Sequence, residues 1–493
     1  MTAANPMGGA APVRFLLGRE TVTLADIDPT TTLLEFLRGR ADRKGTKEGC
    51  AEGDCGACTV AVGEPADGRM RYRAVNACIQ FVGALHGKQV LTVEDLQGAD
   101  GALHPVQAAM VAQHGSQCGF CTPGFVMSLF VAFADGTRLG RGAIGDTLAG
   151  NLCRCTGYGP ILAAAEAMFD LPAPDDSGRT PDAAQMRALA EMAAEPLVGL
   201  SRGGRRLLAP ASADGLAALL DAEPDATLLA GGTDVGLWVT KQLRRPQTVI
   251  HTGRAADLAR IAVTDDAIVI GAAARLADVA PAIAADYPAF GEIFRRYGSV
   301  QVRNAGTLGG NVANGSPIGD GPPGLIALGA ELVLRRGAAR RRIALEDFFI
   351  DYGKQDRHPA EFVEQIVLPR PRGGSLFRMY KISKRFDQDI SAVCGAFAIG
   401  LADGVVTSAR VAFGGMAGTP RRAHACEAAL AGRPWTEAGI ADALAALDRD
   451  YEPLTDMRAS AWYRREAARA LLLRACQDSG DGGPQSVLAC EAA

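Results

Sequence analysis

A chain of 493 residues is too long for one ordinary hydrophobic core, and its 48% apolar content marks it as globular, so roughly two to four domains are expected. A net charge of −4 gives no basis for a nucleic-acid partner or an anionic membrane surface. No apolar run reaches the roughly 18 residues of a membrane helix. The opening MTAANPMGGAAP lacks a basic-then-apolar pattern and a twin arginine, so no export signal is expected and the reading is cytoplasmic.

Taken in chain order, residues 12–94 read as mainly β with one helix. RFLLG and TVTLA flank a turn at Gly18 to Glu20, a hairpin pattern. Asp28-Pro29 punctuates, and Thr31 is placed to cap a helix through LLEFLR. Strands are expected at Val60–Val62, Tyr72–Val75 and Val90–Val93. Residues 95–172 switch to helical signals, with helices at His104–His114, Pro123–Ala134, Ile144–Leu152 and Pro160–Phe169. Residues 173–195, rich in proline and charge, read as a linker with a helical middle. From 196 to 371 strand and helix signals mix, with strands at Ala226–Ala230 and Ala267–Ile270 and a helix at Gly215–Leu220. The Pro/Gly/Arg-rich stretch around Arg370–Gly374 marks a boundary. Residues 372–477 then read as α+β, with strands at Ala392–Ala398 and Ser408–Gly414 and a helix at Met457–Ala475. The tail from Asp478 to Ala493 reads as disordered.

Twelve cysteines are the sharpest compositional signal, because eight of them fall into two tight groups within the first 155 residues. Clustering in a chain read as having no signal peptide points to metal ligation rather than disulfides. Cys394, Cys426, Cys476 and Cys490 are scattered; they read as small buried apolar residues or, for Cys490, a tail thiol. Cys50, Cys55, Cys58 and Cys78 stand as C-x4-C-x2-C-x19-C, the plant-type ferredoxin spacing for a [2Fe-2S] cluster. A loop carrying three thiolates around two irons needs small residues and positive φ, which Gly49, Gly53, Gly56 and Ala57 are expected to supply. Structural zinc or buried thiols are the competing readings, but zinc loops usually use two C-x2-C knuckles, and this group has only the one at Cys55 and Cys58. Cys118 and Cys121, with Cys153 and Cys155, form the second group. Thr122-Pro123 follows Cys121 as a cap and first helical residue, and Cys155 precedes another helix, so both pairs are expected near helix N-termini that favour thiolates. Four thiolates there make a second [2Fe-2S] site, with zinc as the alternative on this group alone.

Leu228-Leu229-Ala230-Gly231-Gly232-Thr233-Asp234-Val235 reads as a strand entering a helix through a Gly-rich turn, whose exposed N–H groups suit a pyrophosphate. It is not G-x-G-x-x-G, so a Rossmann site is not indicated. A second segment, Gly306-Thr307-Leu308-Gly309-Gly310-Asn311, precedes Ser316 to Asp320; singly, each is compatible with an ordinary turn.

The plant-type loop followed by QCGFCTPG and GNLCRCTGY resembles the tandem iron–sulfur region of the molybdenum hydroxylase family, which includes xanthine dehydrogenases, aldehyde oxidases, carbon monoxide dehydrogenases and hydroxybenzoyl-CoA reductases. The two Gly-rich segments resemble that family's FAD domain, and TDMRASAWYRR resembles its last domain. The resemblance implies a multidomain α+β chain: a β-grasp ferredoxin-like domain, a helical-bundle iron–sulfur domain, a vanillyl-alcohol-oxidase-type FAD domain and an α+β C-terminal domain. It implies that Leu228 to Val235 cradle the FAD pyrophosphate, and that Thr307 to Asn311 and Asp320 bind the ribityl-phosphate and ribose. Tyr297 would pack on the adenine, Val363 would line the flavin, Lys381 would approach it, and Tyr352 would stand at its entrance. Gln117 would lie on the pterin side.

By the same resemblance, a large partner subunit holds the molybdopterin, two such pairs form an α2β2 complex, and electrons pass through both clusters to FAD and then NAD. The fused order of clusters before flavin favours the xanthine dehydrogenase branch, which oxidises hypoxanthine and xanthine; an aldehyde or N-heterocycle substrate is the nearest alternative. A non-enzymatic zinc-binding assembly module is the reading from another class. No side chain of this chain is expected to act as acid, base or nucleophile.

Overall fold

A computed structural model describes residues 10–98, 100–172, 179–371, 373 and 375–479. It is a multidomain α+β structure whose chain divides into two units: Met1–Ala259 with Gly298–Thr307 and Arg336–Ala338, and Arg260–Tyr297 with Leu308–Arg335 and Ala339–Ala493.

The first unit is organised by a nine-stranded sheet. The expected hairpin is its start: Ala11–Leu17 pairs antiparallel with Glu20–Leu24. Gln89–Leu91 joins the other side of Ala11–Leu17 in parallel, and Thr59–Ala66 pairs antiparallel with both Gln89–Leu91 and Arg69–Asn76. One helix, Leu33–Gly39, turns Leu33, Leu34, Phe36 and Leu37 into the core, where Phe36 meets Phe15 edge-on. The cap of this helix is Thr32, one residue beyond the expected Thr31, because Thr32 and Glu35 exchange the two hydrogen bonds of a capping box. Val93, expected to end a strand, lies in a short 3-10 turn capped by Thr92. The sheet continues past Ala11–Leu17 into Leu197–Arg202, Arg205–Pro210, Thr248–His251 and Thr227–Leu229. One apolar cluster, including Phe15, Leu37, Phe81, Leu200, Leu207 and Val249, runs under this continuation.

Four helices, Pro105–Ala112, Thr122–Ala134, Arg141–Leu148 and Gly159–Ala167, surround a second core of Val106, Phe125, Leu129, Ile144, Ile161 and Met168. The third ends at Leu148, short of the expected Leu152, and Asn151 beyond it donates to the Gly56 carbonyl instead. The connecting segment is held down along its described length. Arg179 is buried and donates to the carbonyl of Leu96. Helix Ala183–Ala193, capped by Asp182, buries Leu189 and Met192 against Leu16.

The second unit holds a five-stranded sheet with the spatial order Ile261–Val263, Ala267–Gly271, Phe362–Pro369, Glu331–Arg336, Ala339–Ala344. Helices Leu276–Asp286, Pro288–Arg295, Leu308–Asn314 and Gly321–Ala327 contribute to its core around Phe290, Phe294, Phe348 and Ile366. A four-stranded antiparallel sheet follows, of Ser375–Ile382, Val393–Ala402, Val405–Gly414 and Arg421–Arg422, with helices His424–Leu430, Ala441–Asp450 and Ala461–Gln477. The last helix starts four residues later than Met457, where Ser460 caps it. Asp478 and Ser479 are ordered, against the expectation of a tail disordered from Asp478: Asp478 is buried and accepts from the Tyr380 hydroxyl at 2.8 Å. Residues 480–493, including Cys490, and residues 1–9 lie outside the described residues. Cys394, Cys426 and Cys476 are buried, as their scatter suggested. Among the described residues, no helix is long and apolar enough to cross a membrane.

Candidate iron–sulfur and flavin sites

All eight clustered cysteines belong to the first unit. Cys50, Cys55 and Cys58 lie on the loop entering strand Thr59–Ala66, and Cys78 follows its partner strand Arg69–Asn76, so the antiparallel pairing delivers the distant fourth thiol. The backbone N–H groups of Asp54 and Cys55 point at the Cys50 sulfur, at 3.4 and 3.3 Å. Positive φ is found at Ala51, Gly53 and Gly56, and not at Gly49 or Ala57. Gly49 is required for a different reason, since a Cβ there would stand 2.8 Å from the Cys55 sulfur. The Cys50 thiol interacts directly with Cys55 and Cys78, and Cys58 with Cys78. Hydrogen bonds from Cys55 and Cys78 push the Cys50 thiol down, while the same bonds hold Cys55 and Cys78 up. Four mutually interacting thiols, with main-chain donors already aimed at the Cys50 sulfur, suit a thiolate-ligated cluster.

In the second group Cys118 interacts with Cys155, and Cys121 with Cys153. Cys121 is itself the N-cap of helix Thr122–Ala134, displacing Thr122 from the expected capping role; the Thr122 hydroxyl instead bonds Ser116. Burial pushes the Cys121 thiol up to about 12. Tyr158, at φ +67, is the N-cap of helix Gly159–Ala167, and its hydroxyl accepts from the Cys153 N–H at 3.0 Å. Cys118 and Cys155 are exposed, as is Phe120 beside them. Among the described residues, no three His, Cys, Asp or Glu side chains are arranged to hold a single metal ion.

The two groups are joined by contacts that spacing did not reveal. The N–H of Leu152 donates to the Cys55 carbonyl at 3.0 Å. Next to it, the Asn151 amide donates to the Gly56 carbonyl at 3.1 Å and accepts from Ser128 at 2.7 Å. Gln301 completes this buried set by donating toward Thr59, Ser128 and Asn151. Asn151 lies within the GNLCRCTGY motif, but nothing local to it or to Gln301 announces these partners.

The expected flavin residues divide between the units. Strand Thr227–Leu229 and helix Val235–Thr240 flank Ala230 to Asp234, the predicted strand–turn–helix. Ala305 and Gly306, at the start of the second Gly-rich segment, approach this turn within the first unit: a Cβ on Gly231 would lie 2.0 Å from the Ala305 carbonyl and 2.7 Å from Gly306 Cα, so only glycine fits. Ile79, beside Cys78, packs on the same element, its carbonyl 3.0 Å from where a Cβ of Gly232 or Gly236 would stand.

In the second unit, Leu308 and Gly309 bond the carbonyls of Ala274 and Ala272, which anchors helix Leu308–Asn314. Asn311 donates to the Tyr297 hydroxyl at 2.9 Å, and its buried Oδ1 has no protein partner. Asp320 and Lys381, both expected at the flavin, form a buried ion pair of 2.6 Å, and Ser391 donates to the same carboxylate. Val363 is a core residue of strand Phe362–Pro369, and Tyr352 is exposed. The unpartnered Asn311 oxygen fits a polar ligand such as FAD, whereas glycine at 231 is required by close backbone packing against Ala305 and Gly306.

Family models match in the same order along the chain. A 2Fe-2S iron–sulfur cluster binding domain covers residues 15–82, a [2Fe-2S] binding domain 92–166, the FAD binding domain in molybdopterin dehydrogenase 203–371, and the CO dehydrogenase flavoprotein C-terminal domain 378–479. The solved chain of carbon monoxide dehydrogenase from Hydrogenophaga pseudoflava is similar to this one with a TM-score of 0.52 and 30% identity, over 55% of this chain and 94% of that one. The chain belongs to the molybdenum hydroxylase family. Among curated members it is 32% identical to xanthine dehydrogenase of Emericella nidulans, over 89% of this chain and 36% of that protein. It is 30% identical to aldehyde oxidase 2 of Cavia porcellus, over 89% of this chain and 37% of that protein. The chain thus carries the iron–sulfur and flavin domains of a molybdenum hydroxylase and spans little more than a third of these curated relatives.

Proposed function

We propose that this chain is the electron-transfer subunit of a xanthine dehydrogenase-type enzyme, serving a molybdopterin-binding partner in the oxidation of hypoxanthine and xanthine and delivering electrons to NAD. The observation that carries the reading is the continuity of the first unit. The Leu152 N–H to Cys55 carbonyl bond joins the two cysteine groups, and Ile79, next to Cys78, rests on the Gly231–Gly232 turn. Cys118, Cys121, Cys153 and Cys155 hold one [2Fe-2S] cluster, at the exposed end that faces the partner. Cys50, Cys55, Cys58 and Cys78 hold the other, between the first and the flavin. Leu228 to Val235, Tyr297, Thr307 to Asn311, Asp320, Val363 and Lys381 bind FAD. When bound, the clusters carry single electrons and the flavin gathers pairs of them for hydride exchange with NAD. The chain's own contribution is position: it fixes the spacing of the thiols and packs the Gly231–Gly232 turn against Ala305 and Gly306. The domain limits 12–94, 95–172, 196–371 and 372–477, an α2β2 assembly and a cytoplasmic location complete the proposal.

A second reading has a specific observation behind it. Identity to the aldehyde oxidase is nearly that to the xanthine dehydrogenase, so the same subunit serving an aldehyde or N-heterocycle oxidase is the alternative. Turnover of xanthine against an aldehyde by the complex with its partner decides between them. Iron and labile sulfide with a yellow flavin in the purified chain support both readings; stoichiometric zinc without iron refutes both.

A further inference from the structure

Lys241 lies at the C-terminal end of helix Val235–Thr240, the helix that leaves the Gly231–Gly232 turn. Its ammonium donates to the carbonyl of Cys50 and stands 3.4 Å from the Glu52 carboxylate. The helix is held close to the cysteine loop for a second reason. A Cβ on Gly236 would come within 2.8 Å of the Ile79 Cβ, so the helix backbone lies directly on the residue after Cys78. The loop carrying three of the first-group thiols is therefore fastened from one side by its own N–H groups at the Cys50 sulfur and from the other by a cation on the flavin-region helix.

We infer that Lys241 is a positioning residue for the cluster at Cys50, Cys55, Cys58 and Cys78, which ties its loop to the glycine turn and favours the cluster's reduced form. This rests on the cluster reading proposed above. Reduction adds one electron to the cluster, with no bond to the protein made or broken. The added negative charge is stabilised by a cation hydrogen-bonded to a ligand residue, and a carboxylate at the same place opposes it. Lys241 and Glu52 thus act in opposite directions on one reduction potential. Both side chains are close to half exposed, so solvent screening keeps the effect modest.

The test is a redox titration of the full-length chain by electron paramagnetic resonance, with the first-group signal identified as the one that Cys55→Ser abolishes. At the wild-type midpoint, Lys241→Gln is expected to lower the reduced-to-oxidised ratio of that cluster roughly threefold. Lys241→Arg, which keeps the charge, leaves it near wild type, and Glu52→Gln raises it. The second-group signal stays in place throughout. An unmoved midpoint in both Lys241→Gln and Glu52→Gln overturns the role of Lys241, as does an equal shift of both clusters. If Lys241→Gln loses the signal altogether, Glu52→Gln decides alone: an upward shift supports the role, and no shift overturns it. A wild-type chain with no two-iron signal instead refutes the cluster reading itself.

Discussion

Leu152 donates its backbone N–H to the carbonyl of Cys55 at 3.0 Å, joining a residue beside Cys153 to a residue of the other cysteine group. That bond is flanked by the buried amide of Asn151, which serves the Gly56 carbonyl, and the spacing of the two groups depends on both.

Asn151→Ala is expected to destabilise the chain by about 1–3 kcal/mol, because it leaves the buried Ser128 hydroxyl without its acceptor and removes one of the donors to the Gly56 carbonyl, which Thr59 also serves. Gln301→Met costs less. The oxygens Gln301 donates to have other partners, and its own Oε1 is already unpartnered. Denaturant unfolding of both variants checks the order; equal losses would show that the set is not centred on Asn151.

The Lys381–Asp320 pair is 3% exposed on both sides. Asp320→Asn strands a buried ammonium and is expected to cost about 3–5 kcal/mol, whereas Asp320→Leu combined with Lys381→Met removes both charges and recovers much of that loss. Thermal unfolding of the second unit within the full chain gives the cycle. A double variant as unstable as the sum of its singles would contradict an ion pair isolated from solvent.

His86 introduces a pH dependence. Its Nδ1 accepts from the Arg14 N–H at 3.0 Å, and its Nε2 bonds the Met192 carbonyl at 2.6 Å, so the neutral ring is the form that fits. Burial lowers its pKa from 6.5 to about 4. Below 6.5 the unfolded chain takes up a proton that the folded chain refuses, so stability is full above pH 6.5 and declines as pH falls towards 4, by up to roughly 3 kcal/mol. Urea midpoints at pH 7.5 and 5 are expected to differ more for the wild type than for His86→Gln. Identical pH dependence would remove His86 as the cause.

Phe120 is 47% exposed and Leu152 41%, both beside the exposed thiols Cys118 and Cys155. Exposed apolar side chains at this place are where the proposed partner would be expected to dock. Phe120→Asp and Arg154→Glu are expected to weaken binding of the molybdopterin partner and substrate turnover while sparing NADH–dye activity. Both activities measured on the co-expressed complex check this. A joint fall would indicate a damaged fold, and no fall in either would move the interface elsewhere.

The gathering of the cysteines into two groups was legible in the sequence because their spacings are short and fixed. The hairpin, the four helices and the strand–turn–helix around Gly231 were legible because turn residues and apolar periodicity are local as well. What escaped is long-range. Asn151 meets Gly56 across 95 residues and Gln301 meets Asn151 across 150, and nothing near any of them announces the partner. Lys381 and Asp320 were singled out separately, but their pairing across 61 residues was not. The smaller misses, Thr31 for Thr32 and Thr122 for Cys121, are choices between adjacent residues that only the realised backbone decides.

The most direct test of the account is anaerobic titration of the isolated chain with NADH, followed by visible absorption and electron paramagnetic resonance. The account predicts bleaching of the flavin together with two distinct [2Fe-2S] signals, one abolished by Cys55→Ser and the other by Cys155→Ser. A chain that binds zinc in place of iron, shows a single signal, or leaves its flavin oxidised under NADH would contradict it.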